Sequence, residues 1–123
     1  MYDIHSHILP NIDDGPPEME HSLAMALASK KDGTIKMICT PHHKDVIENH
    51  SISKLNQLVA QFKSRLKDEE IDLEIGLGME NHINLDLPET LSKGTSLTIN
   101  RTKYVLIELP FFGKPNYIEK ILF

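Results

Sequence analysis

The sequence lacks several features that would assign it to a class at once. Only one cysteine, Cys39, occurs in 123 residues. That excludes an internal disulfide and fits a reducing cytoplasm. No apolar run approaches the ~20 residues of a membrane-spanning helix. Asp3, His5 and His7 interrupt the N-terminus where a signal peptide would need an apolar stretch. Positive charge is not in excess, since the formal net charge is −5. Phosphate backbones favour basic faces, so nucleic acid is not the expected partner. A phosphorylated substrate stays open, because bound cations reverse the local sign. Neither G-x-S-x-G nor G-x-x-x-x-G-K-[ST] is present. A cysteine phosphatase needs Cys and Arg separated by five residues, and the required position after Cys39 holds Asp45. Cys39 sits in an apolar run and reads as inert core. Repeats, low-complexity stretches and flexible linkers are absent.

What is present is an ordinary globular balance, 40% hydrophobic and 25% charged residues. The length suffices for one domain with its own core. The unusual count is seven histidines, so their positions matter.

Short apolar runs alternate with longer helical periods, a pattern that predicts successive βα units and a parallel sheet. Met1 to Ile8 is a strand, and Asn11 to Pro17 is a loop punctuated by Asp-Asp-Gly and Pro-Pro. A helix should run from Pro17 to Lys31, with Met19, Leu23, Ala26 and Leu27 on one face and Gly33 as its stop. Thr34 to Thr40 is a second, buried strand. Ser51 to Glu69 is the clearest helix, with Leu55, Leu58, Val59, Phe62 and Leu66 on one face. Ile71, Leu73, Ile75, Leu77 and Met79 alternate as a third strand. A short helix spans Asp86 to Lys93, capped by Asp86 and stopped by Gly94. Tyr104 to Leu109 is a fourth strand, and Lys114 to Phe123 begins another helix. Ile121, Leu122 and Phe123 are apolar and expected to be buried, and natural domains rarely end there. Four strand-helix units make a poor closed barrel, so the expectation is a fragment.

Five segments carry candidate chemistry. His5 and His7, two apart at a strand end, face the same side and can bind one metal through neutral imidazole nitrogens. Taken alone, the pair also reads as an exposed polar strand end. Asp13-Asp14-Gly15 alone is a plain turn. Thr40-Pro41-His42-His43 alone is a solvated loop after the second strand. Glu80 follows the third strand. Glu108 lies within the fourth, either facing solvent or buried at a cost unless paired. Together they differ: each lies at or just beyond the C-terminal end of a predicted parallel strand, and in αβ barrels that rim carries the active site. His5, His7, Asp14, His42, Glu80 and Glu108 are therefore expected around one pocket. Imidazole and carboxylate donors without cysteine suit manganese, iron or zinc.

In combination and order, these segments closely resemble the PHP (polymerase and histidinol phosphatase) superfamily. The closest resemblance is to the protein-tyrosine phosphatases of bacterial capsule and exopolysaccharide clusters. The matching stretches are Asp3-Ile4-His5-Ser6-His7-Ile8-Leu9-Pro10, Asp13-Asp14-Gly15-Pro16, Thr40-Pro41-His42-His43, Gly78-Met79-Glu80 and Tyr104 to Phe111. The resemblance implies an α/β fold, the N-terminal half of a distorted PHP-type (β/α) barrel with a parallel sheet. It implies a trinuclear centre, manganese first, with iron or zinc as alternatives. His5 and His7 would bind the first metal, Glu80 would bridge the first and second, Glu108 would bind the second, and Asp14 and His42 the third. Asp14 is also discussed as a catalytic acid, ligand first. Asp13 receives no ligand role, only turn and cap chemistry.

Residues 1–123 would be a partial PHP-type phosphatase domain. The implied second half supplies His-Pro-Glu-Arg and Asp-x-His segments, and neither occurs here; Arg65 and Arg101 are not substitutes. The implied activity is hydrolysis of phosphotyrosine in the tail of a bacterial tyrosine kinase that regulates polysaccharide export. The alternatives are an inactive remnant, a metal-binding fragment that self-associates through an exposed barrel edge, or a histidinol phosphate or nucleotide substrate.

Overall fold

The computed structural model describes residues 1–110 and 116–122. The chain is mixed α/β, and every strand pair is parallel, as the alternating pattern predicts. Strands β1 (Tyr2–Ser6), β2 (Lys36–Cys39) and β3 (Glu74–Leu77) form one sheet in that order, and β4 (Glu80–His82) pairs with β5 (Leu106–Glu108). The two sheets run into one another. Gly78 N–H donates to the Cys39 carbonyl at 2.8 Å, Glu80 N–H donates to Pro41 at 3.0 Å, and His42 bridges Glu80 in parallel. The predicted third strand therefore ends earlier, and a separate β4 opens on Glu80.

Helices α1 (Met19–Lys31), α2 (His43–Asn49), α3 (Ile52–Asp68), α4 (Leu87–Lys93) and α5 (Ile118–Leu122) complete the chain, with a 3-10 turn at Ile99–Arg101. Helix α3 follows its apolar stripe: Leu55, Val59, Phe62 and Leu66 are buried, Leu58 partly so. Its Ser51 side chain accepts from Lys54 N–H at 3.0 Å, satisfying one of the free donors of the first turn. Gly33 closes α1 and Gly94 closes α4, both in the left-handed region.

Several expectations are corrected. Helix α1 starts at Met19 rather than Pro17, and Leu27 is 43% exposed while Leu23 and Ala26 are buried. Asp86 stands at the start of α4 without a side-chain cap bond. Residues 43–49 form α2, a stretch for which the sequence pattern predicts no element. The four predicted strands, observed as β1, β2, β3 and β5, are all shorter than their apolar runs. Ile121 is half-buried. The expected burial of Leu122 and Phe123 lies outside what the structure describes, as do positions 111–115.

Cys39 is fully buried in β2, and burial pushes its thiol up to about 12. The thiolate is the reactive form, and a rise of this size lowers its population roughly a thousandfold. The native chain should react with a thiol reagent at least about 100-fold more slowly than the urea-unfolded chain. Equal rates in a colorimetric thiol assay would show that β2 opens freely.

Candidate metal centre

β1 carries an irregularity close to its histidines. Asp3 pairs with Met37 and Ser6 with Cys39, so β1 holds one extra residue between the two registers. Such a bulge bends a strand and re-aims its side chains. Past it, Ser6 lashes β1 to β2: its N–H donates to Thr40 Oγ1 at 3.0 Å and its hydroxyl to the Ile38 carbonyl at 2.9 Å. His5 and His7 then emerge with their Nε2 atoms 3.2 Å apart.

Glu80, the first residue of β4, meets them. Its Oε2 lies 3.2 Å from His5 Nε2, 2.8 Å from His7 Nε2 and 3.4 Å from His42 Nδ1. Its neighbour Asn81 is buried, and the Asn81 amide donates to the carbonyls of Met79, Leu97 and Leu106 at 3.1–3.3 Å. The backbone presenting Glu80 is thus pinned on both sides. His42 stacks on His7, with ring centroids 4.5 Å apart and planes at 24°. Its Nε2 is 3.3 Å from Asp14 Oδ1, and its Nδ1 is 3.8 Å from Glu108 Oε2.

The structure brings all six candidate residues together. Their donor atoms fall into three overlapping groups: His7, Asp13, Asp14 and His42; His5, His7 and Glu80; and His42, Glu80 and Glu108. Within each group the donor atoms lie inside 4.8 Å of one another. His43, next to His42, joins no such group among the described residues; burial lowers its pKa against an opposing hydrogen bond with the Thr95 backbone.

The donor set fits divalent cations. Neighbouring donors about 2.1 Å from one ion stand about 3 Å apart, the spacing seen around Glu80 Oε2. The His7 pKa reflects opposing effects. Burial lowers it, but the hydrogen bond to Asp13 and the negative charges of Asp13, Glu80 and Asp14 outweigh burial and raise it. An imidazole drawn towards positive charge by so many carboxylates marks a place where a cation is favoured.

Two recesses open on the cluster. One of about 420 Å³ is lined by Asp3, His5, His7, Asp14, His42 and Glu80. The other, about 290 Å³, runs past Asp14, His42, Lys44, His82 and Glu108. A larger groove of about 550 Å³ lies elsewhere, between α3 and residues 97–101, with Arg101 on its wall. Arg65 is held on α3 by Glu20 at 2.7 Å and Glu69 at 3.5 Å. Neither arginine borders the cluster.

Sequence reasoning missed the part Asp13 plays. Its expected turn bond is present, with Gly15 N–H donating to Oδ1 at 3.0 Å. Its Oδ2 also accepts from His7 Nδ1 at 2.9 Å and from His42 N–H at 3.2 Å. An acidic residue beside a glycine signals a turn, and no local pattern announces contacts with residues so far along the chain.

Comparison with known proteins points the same way. The model of a family described as capsular polysaccharide synthesis, CpsB/CapC, matches residues 1–122. Tyrosine-protein phosphatase YwqE of Bacillus subtilis (strain 168) is 37% identical over 123 residues, all of this chain and 48% of YwqE. Tyrosine-protein phosphatase CpsB of Streptococcus pneumoniae is 34% identical over 108 residues, 88% of this chain and 44% of CpsB. A chain from the crystal structures of these two proteins, described as unique metal-dependent tyrosine phosphatases, superposes with a TM-score of 0.88 at 36% identity. It covers 98% of this chain and 49% of its own length. The chain therefore spans about half the length of the curated relatives it matches.

Proposed function

This chain belongs to the CpsB/CapC family of capsular polysaccharide synthesis, and on that footing we propose that it carries the metal-gathering N-terminal half of a metal-dependent protein-tyrosine phosphatase. The observation that carries this reading is the convergence of His5, His7 and His42 on one oxygen of Glu80, all within 3.4 Å. In this assignment His5 and His7 would hold a first ion, and Glu80 would be shared between it and a second that Glu108 would also hold. Asp14 and His42 hold a third. Manganese is the first choice and iron or zinc the alternatives, since the donors are imidazole and carboxylate. By the PHP-type resemblance, further ligands and a phosphate-binding arginine would come from outside these residues.

Phosphotyrosine is an anion, and Asp13, Asp14, Glu80 and Glu108 would repel it from the bare cluster. Divalent ions held by these residues would reverse that sign and would supply Lewis acidity towards a phosphoryl group and a water molecule. The chain's own residues orient this chemistry. Pinned β4 fixes Glu80, the stacked rings of His7 and His42 fix each other, and Asp14 stands 76% exposed at the mouth. Asp14 serves as a ligand first; as a ligand it is already deprotonated, which argues against a primary role as acid. The tyrosine leaving group has a pKa of ~10, so its departure needs less proton assistance than an alkoxide's. The substrate is the phosphotyrosine tail of a bacterial tyrosine kinase controlling polysaccharide synthesis, met in the cytoplasm. No helix among the described residues is long and apolar enough to cross a membrane.

A second reading is a metal-binding fragment without turnover, favoured by the distance of Arg65 and Arg101 from the cluster. The outer side of β1, with Tyr2 and Ile4 exposed, would then be open to self-association. One assay separates the two. Purified chain with manganese is assayed on a phosphotyrosine peptide, and turnover that His7→Ala lowers by more than about 100-fold, beyond the 10–100-fold cost of losing a partner outside the ligand shell, supports the phosphatase reading. Manganese binding without turnover supports the fragment reading. Absence of manganese binding sinks both.

A further inference from the structure

Four carboxylates meet at the cluster, and one differs from the rest. The Asp13 side chain is fully closed off from solvent, whereas those of Glu80, Glu108 and Asp14 are 11%, 43% and 76% exposed. Three protons already occupy it, from His7 Nδ1, His42 N–H and Gly15 N–H. We propose that Asp13 is a positioning residue of the metal centre, which aims His7 Nε2 at the ions and fixes the backbone of His42. The proposal rests on reading the cluster as a metal centre.

A carboxylate only accepts, so Nδ1 of His7 carries a proton where it faces Asp13, while Nε2, 2.8 Å from Glu80 Oε2, either carries the second proton of an imidazolium or gives it up to an ion. In the neutral ring, Nε2 is then left with a lone pair turned towards Glu80 and His5. A ligating histidine usually needs such a partner on its other nitrogen, which sets tautomer and orientation and makes the ligand more basic. The same Oδ2 reaches His42 N–H, 29 residues along the chain. One buried group therefore sets the relative position of two stacked imidazoles assigned to different ions. A second observation supports the arrangement. A Cβ at Gly15 would collide with the His7 carbonyl oxygen, so glycine is what lets the Asp13 turn fold back against His7.

Asp13→Asn keeps the size and removes the charge. An amide has one accepting oxygen, so its NH2 must face either Gly15 N–H or the His7 and His42 donors. The expected result is a 10–100-fold loss of manganese affinity by calorimetry, with the circular dichroism of the metal-free chain retained. A merely structural role would not set the tautomer. In ¹⁵N spectra of the metal-free chain at alkaline pH, His7 should carry its proton on Nδ1, and in Asp13→Asn it should shift towards Nε2. Unchanged manganese affinity in Asp13→Asn overturns the proposal, and so does an Nε2 proton on His7 in the unsubstituted chain. The second measurement decides even if the variant fails to fold. If the unsubstituted chain binds no manganese, the metal-centre reading itself falls; if it binds and Asp13→Asn binds equally, only the role of Asp13 does.

Discussion

Glu80→Ala is expected to lower manganese affinity by more than about 100-fold, a larger loss than removing any partner outside the ligand shell. Calorimetry should also show fewer ions bound per chain. Among the described residues, Glu80 Oε2 is the only carboxylate oxygen lying within 3.4 Å of His5, His7 and His42 together. Glu80, His7 and His42 each serve two of the three donor groups and the other ligands one, and Glu80 is the carboxylate that joins the strand end of β1 to that of β5. Its removal leaves imidazole lone pairs facing one another with no anion between them. Glu80→Gln, which keeps one oxygen and drops the charge, should fall between the two. Manganese titration curves that superpose for the three chains would remove Glu80 from the centre, and with it the bridging assignment.

The second large effect lies in the core. Among the described residues Phe62 is the largest fully buried side chain, and it sits on the inner face of α3. Phe62→Ala removes buried surface and leaves a cavity, at a cost of about 3–5 kcal/mol. Domains of this kind are stable by only about 5–15 kcal/mol. The variant should therefore unfold at a much lower urea concentration, and a chain at the low end of that range would keep only about 0–2 kcal/mol, with up to about half the molecules unfolded without denaturant. A midpoint unchanged in circular dichroism would mean that α3 does not anchor the sheet.

How much of this was legible in the sequence depends on the range of the signal. Helix α3 was readable because its apolar positions recur over four turns and Ser51 caps it. The parallel strands were readable from the alternation of short apolar runs with helical periods. Helix α2 was not, because seven residues starting next to His42 carry one buried apolar side chain, Val46, and no capping bond. The break between β3 and β4 was hidden because the apolar alternation continues to Met79. Gly76 and Gly78 permit residues 98–100 to approach there, a tertiary contact with no local mark. Leu27 misled because an apolar residue at helical spacing can face solvent without penalty large enough to matter. For the site, residue types at strand ends were enough to nominate His5, His7, Asp14, His42, Glu80 and Glu108, since a parallel sheet gathers those ends. Asp13 escaped because its partners, the His7 ring and the His42 amide, come near only after the chain has folded.

The span between His5 and Glu80 has a thermodynamic consequence. They stand 75 residues apart in sequence and 3.2 Å apart in space. For a disordered chain, closing so large a ring costs on the order of 4 to 5 kcal/mol in configurational entropy. The folded chain has its donors prearranged and meets an ion without that expense. Capture by the native state is thereby favoured over capture by the denatured one by about three orders of magnitude from ring closure alone. Each ion taken up draws the population towards the folded form.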